Sequence, residues 1–412
     1  MTLAPSDSHI RIPDLSDPAT FVDDVPHEAF AEIRRRPGLY WQPTPVSTNN
    51  GGYWAVTRFA DIIAIEKDPA TFSSANGGAY PLMRPWTGAP FEEPNTLMTA
   101  DPPLHSRLRR AAAKGFGPRV VANFEPWIRE IVREMIERVK DQPRFDYVEA
   151  FARTVPAYVI ARVVGAPKED REKLVDMTMA LFAATQDPSG KGAIYNMQPI
   201  VAQIIDYVTE IQAYKRENPG DDMFTALIEC LDRGEITQVE FGQWLMLMLT
   251  AGFETTHTAI GQSMRMYLEN EEVHERMDRA LDEGLTPRAV DEFIRLISPP
   301  MEMARTATKD TFICDTEIKE GDVVVNYFIA ANRDPSVFSD PDRFDPWRTE
   351  TDTLAFGSGV HRCIGSYLAK LEVQILWEEL RAQDLRLKLA GEPVRGWSNF
   401  INQLTELPVE RI

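Results

Sequence analysis

The segment Phe356-Gly-Ser-Gly-Val-His-Arg-Cys-Ile-Gly365 constrains this chain more than any other stretch. Three glycines bracket a single cysteine just before an amphipathic helical pattern at about 364–383. Gly357, Gly359 and Gly365 permit positive φ and let backbone amides come close to a sulfur or to a flat ligand. The helix N-terminus that follows and the neighbouring Arg362 both favour a thiolate at Cys363. A lone cysteine is ordinarily a small buried hydrophobe, but that role needs no flanking glycines. Zinc does not suit the segment, because His361 and Cys363 have no Cys or His neighbours to complete four ligands.

The rest of the chain narrows the setting. Among 412 residues, 44 Lys and Arg face 63 Asp and Glu, a net charge of −19. That balance argues against a nucleic-acid binder and against a polybasic membrane-surface protein. With 43% hydrophobic residues the chain can bury a large core. Its 3 cysteines, Cys230, Cys314 and Cys363, are far apart and odd in number. They exclude a disulfide scaffold and fit a reducing compartment. No apolar run approaches the ~20 residues of a membrane span, so a cytoplasmic protein without a membrane segment is expected. No repeat or linker divides the sequence. The expectation is one domain over 1–412, with 1–50 an irregular lead-in.

Helical patterning dominates from about 103 to 298. Thr237-Gln-Val-Glu240 is a capping box, and the helix it opens runs about 30 residues and is apolar all round near its middle. Thr286-Pro287 reads as an N-cap followed by proline at the first helical position, with Val290, Phe293, Ile294 and Ile297 on one face. Residues 50–65 suggest a strand or hairpin leading into a helix. Residues 311–328 are strand-like, with Glu320-Gly321-Asp322 as a hairpin turn. The fold class expected is mainly α with a minor β-sheet region.

Three further clusters carry chemistry. Ala251-Gly-Phe-Glu-Thr-Thr256 places a glycine and polar groups inside the buried helix, where Gly costs about 1 kcal/mol relative to Ala and unpaired polar groups are expensive. Glu292 and Arg295 stand at i, i+3 and can pair. His105, Arg107, Arg109, Arg110, Lys114 and Arg119 form a basic run without an acid, in which His105 and Arg109 can point at one anion.

The cysteine segment resembles the haem-ligating loop of the cytochrome P450 family, the haem-thiolate monooxygenases, and the other clusters follow in that family's order. The resemblance implies the cytochrome P450 fold as a single haem domain. It makes Cys363 the axial ligand of the iron of haem b, where a thiolate favours O–O cleavage. Phe356 and Gly357 then pack on the cysteine side, while His361, His105, Arg109 and Arg305 hold the haem propionates. Ala251 and Gly252 give the flat cofactor room. Thr255 hydrogen-bonds dioxygen and Glu254 gates proton delivery. Glu292 and Arg295 resemble a structural clamp behind the loop, with Arg343 its third member. His257 reads as helix packing or solvent contact rather than a ligand, and Glu302 as facing substrate, a propionate or neither.

By the same resemblance the substrate walls are Tyr80, Met83, Trp86, Phe91, Met98, Leu181, Phe182, Met301, Met303, Phe400 and Ile401. Such a lining suits an apolar small molecule: a terpenoid, a steroid or an aromatic compound. With no fused reductase and no dinucleotide fingerprint, electrons are expected from a separate iron–sulfur ferredoxin and its NAD(P)H-dependent reductase. Arg107, Arg110 and Lys114 are the residues expected to dock that acidic donor. Two other classes remain open at this level. A peroxide-driven peroxygenase would not need Glu254-Thr255. A haem sensor or carrier would need the cysteine but no proton-delivery groups.

Overall fold

The computed structural model describes residues 10–44, 50–76, 96–113, 115–185, 193–220 and 222–412. Its organising element is the 32-residue helix Gln238–Glu269, opened by the capping box expected from sequence. Thr237 Oγ1 accepts from the Glu240 amide at 3.2 Å, and the Glu240 carboxylate accepts from the Thr237 amide at 2.7 Å. Phe241, Leu245, Phe253, Ala259, Ile260 and Met264 are buried along it, so this helix is enclosed and serves as the spine of the largest core cluster. Helices Glu125–Val139, Thr154–Val163, Thr286–Ile297 and Ser366–Ala382 contribute to the same cluster.

A smaller five-stranded sheet stands beside the helices, in the order Tyr40–Pro43, Gly52–Val56, Val323–Asn326, Met303–Ala307, Phe72–Ser73. Trp54 pairs in parallel with Val324, which pairs antiparallel with Arg305 on the other side. Alternation along Met303–Ala307 then sends Met303 and Arg305 toward the large cavity described below and Ala304 into a second core cluster with Tyr53, Val325 and Tyr327.

Three local expectations need correction. Residues 27–43 are not irregular. His27–Arg35 is a helix that buries Ala29, Phe30 and Ile33, and Tyr40–Pro43 pairs with Gly52–Val56. Glu320-Gly321-Asp322 does not close a hairpin; the hairpin joins Thr311–Ile313 to Thr316–Ile318 through Cys314 and Asp315, both at positive φ. Thr286 is the first helical residue and is buried, and Leu285 occupies the cap position without a side-chain bond. Among the described residues no helix is long and apolar enough to cross a membrane.

Candidate haem-binding site

The cysteine loop is folded back on itself. Gly357 and Gly359 take φ of 65° and 60°, and the Cys363 amide donates to the Phe356 carbonyl at 2.8 Å. A side chain on Gly359 would overlap the Glu66 carbonyl, and one on Gly365 would meet Cys363 Sγ at 3.9 Å. The Cys363 side chain opens onto the cavity. Burial pushes its thiol up, while the Gly365 amide, Arg109 and Arg362 pull it down. The protein groups therefore do not secure the thiolate by themselves; a coordinated metal cation deprotonates a thiol outright.

The cavity encloses about 1430 Å³, open solvent at its mouth included. The cysteine loop, with Phe356, Gly357 and Cys363, bounds it together with Ala251, Gly252, Thr255 and Thr256 of the long helix. Gly252 has a second reason to lack a side chain: a Cβ there would come within 3.3 Å of Ile160 Cδ1 on a neighbouring helix. Thr255 Oγ1 donates to the Ala251 carbonyl at 2.8 Å and Thr256 Oγ1 to the Gly252 carbonyl at 3.2 Å. Glu254 lies about 100° round the helix from Thr255 and is not part of the lining; burial pushes its carboxyl up to about 7. His257 is buried, stacks on Phe253 at 5.9 Å, and is pushed down to about 3 by desolvation.

One edge of the cavity gathers His105 and Arg109 of helix Leu104–Ala113, His361 of the cysteine loop and Arg305 of strand Met303–Ala307. The two imidazoles lie 4.3 Å apart. Burial, aided by Arg109, takes His105 down to about 4; burial, aided by Arg305, His105 and Arg109, takes His361 down to about 2. Both ring nitrogens of His105 are buried without a partner. Groups that repel one another in this way call for anions between them. A flat iron porphyrin with two carboxylates fits: a thiol on one side, a helix with Ala251 and Gly252 lining another, and donors and cations at the edge.

Behind the loop, Glu292 and Arg295 pair at 2.7 and 2.8 Å with both side chains buried. Arg295 also donates to the carbonyls of Asn332 at 2.6 Å and Pro341 at 2.7 Å. The third member expected, Arg343, is not in the clamp. Its guanidinium is half-exposed on Glu272, and only its carbonyl accepts from Arg295. Arg348, 4% exposed, binds Glu292 instead. Arg107 is likewise not free to dock a partner, because it donates to Glu240 and to the Glu235 carbonyl. Arg110 is exposed, and Lys114 lies outside the described residues.

Of the expected substrate walls, Met98 and Met303 line the cavity. Met301 is instead fully buried in the second core cluster, and Phe400 and Ile401 are buried near Pro300 rather than on the lining. Tyr80, Met83, Trp86 and Phe91 lie outside the described residues, and Leu181 and Phe182 are described by backbone alone. Glu302 faces neither substrate nor propionate. It is fully buried on the sheet side, its carboxyl raised to about 8 by burial against the pull of Arg305. Sequence reasoning missed Trp244, Leu247 and Met248, which lie on the lining at helical spacing, and Glu372, a buried carboxyl also on it. It also missed Glu66, which pairs with Arg305.

The comparisons with known proteins agree with this geometry. Residues 82–380 match the family model described as Cytochrome P450. The chain is 32% identical to linalool 8-monooxygenase of Pseudomonas putida, over 96% of this chain and 98% of that one. It is also 32% identical to the methyl-branched lipid omega-hydroxylase of Mycobacterium bovis, over 94% of this chain and 91% of that one. A Mycobacterium marinum cytochrome P450 solved in complex with pseudoionone superposes with a TM-score of 0.86 at 26% identity, covering 100% of both chains. The thiol loop, the cationic edge and the enclosed helix are thus parts of one architecture, and the chain belongs to the cytochrome P450 family, as a haem b monooxygenase.

Proposed function

We propose that this chain hydroxylates an apolar small molecule of terpenoid, steroid or aromatic type, with electrons from a separate iron–sulfur ferredoxin and its NAD(P)H-dependent reductase. The observation that carries the substrate class is the distribution of charge in the cavity. Among the described residues, charged side chains on its lining belong to the cysteine loop, the helix that follows it, or the edge where Glu66 pairs with Arg305. Met98, Trp244, Leu247, Met248, Pro300 and Met303 make an apolar remainder. A guest held against these described residues is bound by shape and desolvation and not by an ionic anchor.

In this reading Cys363 ligates the iron and His105, His361, Arg109 and Arg305 hold the propionates. Haem b supplies the iron at which dioxygen is reduced. Thr255 Oγ1 can exchange the Ala251 carbonyl for an acceptor in the cavity, and Glu254, with a carboxyl near neutrality, can pass protons inward. Of Arg107, Arg110 and Lys114, Arg110 is described as exposed and is available to an acidic donor.

The relatives named above are a linalool 8-monooxygenase and a methyl-branched lipid omega-hydroxylase, which supports apolar guests without choosing among them. The test is an optical titration of the ferric protein with terpenoids, steroids and aromatic compounds, followed by turnover with ferredoxin, reductase and NADH. A blue shift of the Soret band and substrate-dependent NADH consumption are expected. Turnover with peroxide alone and none with the electron-transfer chain would overturn the proposal.

A further inference from the structure

We propose that Glu66 is a positioning residue for the cofactor's carboxylate edge: it fixes Arg305 and cancels one of the two arginine charges there, which biases the iron toward its ferric state. The inference rests on the reading of this cavity as the haem site.

Glu66 is the last residue of helix Phe59–Glu66 and lines the cavity with a side chain 1% exposed. Its carboxylate takes Arg305 Nη2 at 2.9 Å on one oxygen and 3.1 Å on the other. Asn326 Nδ2 donates to the first oxygen at 2.9 Å, from the strand paired with that of Arg305. Arg305 Nη1 is held by the Ala304 carbonyl at 2.6 Å. An otherwise flexible guanidinium is therefore fixed at both ends of its fork, before any ligand carboxylate reaches it.

The backbone of the same residue touches the cysteine loop. The Glu66 carbonyl occupies the space a Gly359 side chain would need, and its Oε2 lies 3.8 Å from the corresponding position on Gly357. One residue thus ties the sheet, a helix end and the thiol loop together around the cofactor edge.

The charge balance gives the functional consequence. Arg109 and Arg305 bring two positive charges to the edge. Glu66 returns one negative charge, which offsets one of the two arginines facing the propionates. Reduction adds an electron where positive charge is already short, and a low-dielectric site magnifies that cost.

The test uses the haem-loaded protein and measures the ferric/ferrous midpoint potential and the rate of haem loss to an apo-globin acceptor. Glu66→Gln should move the reduction equilibrium about threefold to tenfold toward ferrous, a positive shift of up to about 59 mV for a one-electron couple. Haem loss should quicken several-fold. Glu66→Asp keeps the charge and should keep the potential within twofold of wild type in equilibrium constant. The double variant Glu66→Gln/Arg305→Gln leaves no unpaired buried charge and should lose haem no faster than Arg305→Gln alone. An unchanged potential in Glu66→Gln, or multiplied rates in the double variant, would overturn the role of Glu66. Absence of the long-wavelength ferrous–carbonyl band in the wild-type protein would instead overturn the haem-thiolate reading itself.

Discussion

Arg348 and Arg295 share one oxygen of Glu292, at 3.1 and 2.7 Å, in a site closed to solvent. Removing one member of such a buried network leaves an uncompensated charge and costs about 3–5 kcal/mol. Arg348→Leu should therefore lower the urea midpoint sharply and shed haem. Arg343→Ala, whose guanidinium rests on half-exposed Glu272, should change either measurement little. Equal effects of the two substitutions would contradict the assignment.

That pair shows where the sequence stops being readable. The long helix, its capping box and the cysteine loop follow from periodicity, cap chemistry and glycine placement, which are local. Residues 332–358 have no period, so nothing local says whether Arg343 or Arg348 turns inward. The same holds for Glu66 and Arg305, 239 positions apart: only the sheet register brings them together. Met301 and Met303 are two positions apart, which suggests one wall, but Met301 precedes the strand that starts at Met303 and is buried in the other core.

Thr255 and Thr256 both line the cavity, and both hydroxyls bond carbonyls of their own helix. Thr255→Ala should be tolerated, because Ala is the better helix former, with haem content and substrate affinity nearly unchanged. NADH consumption should continue with less product and more hydrogen peroxide per electron pair. Thr256→Ala should show a much smaller loss of coupling. The reverse ranking would shift the functional register of this helix by one residue.

Gly359 has positive φ and no space for a side chain against the Glu66 carbonyl. Gly359→Ala should therefore displace the loop and reduce the haem content of purified protein. Gly284 also has positive φ but open space around it. Gly284→Ala serves as the control for backbone strain alone and should keep full haem content.

Glu302 supplies a pH dependence of stability. Burial raises its carboxyl from 4.5 to about 8, opposed by Arg305, and it lies near the Tyr53–Tyr327 hydroxyl pair. Below pH 4.5 folded and unfolded chains both carry the proton. Between 4.5 and about 8 only the folded chain does, so this group lowers stability as pH rises. Above 8 the penalty is constant. Glu302→Gln should be more stable than wild type by a few kcal/mol at pH 9 and little different at pH 5. Denaturant unfolding at both values measures this. A difference independent of pH would show that the carboxyl is already ionised in the fold.

The most direct test of the central claim is the spectrum of the reduced, carbon monoxide-bound protein before and after substitution of Cys363. Its thiol opens onto the cavity from a loop whose backbone closes on Phe356. Cys363→His and Cys363→Ser should each abolish the long-wavelength Soret band that thiolate ligation produces, together with monooxygenase turnover. Survival of that band in either variant would mean that another residue ligates the iron.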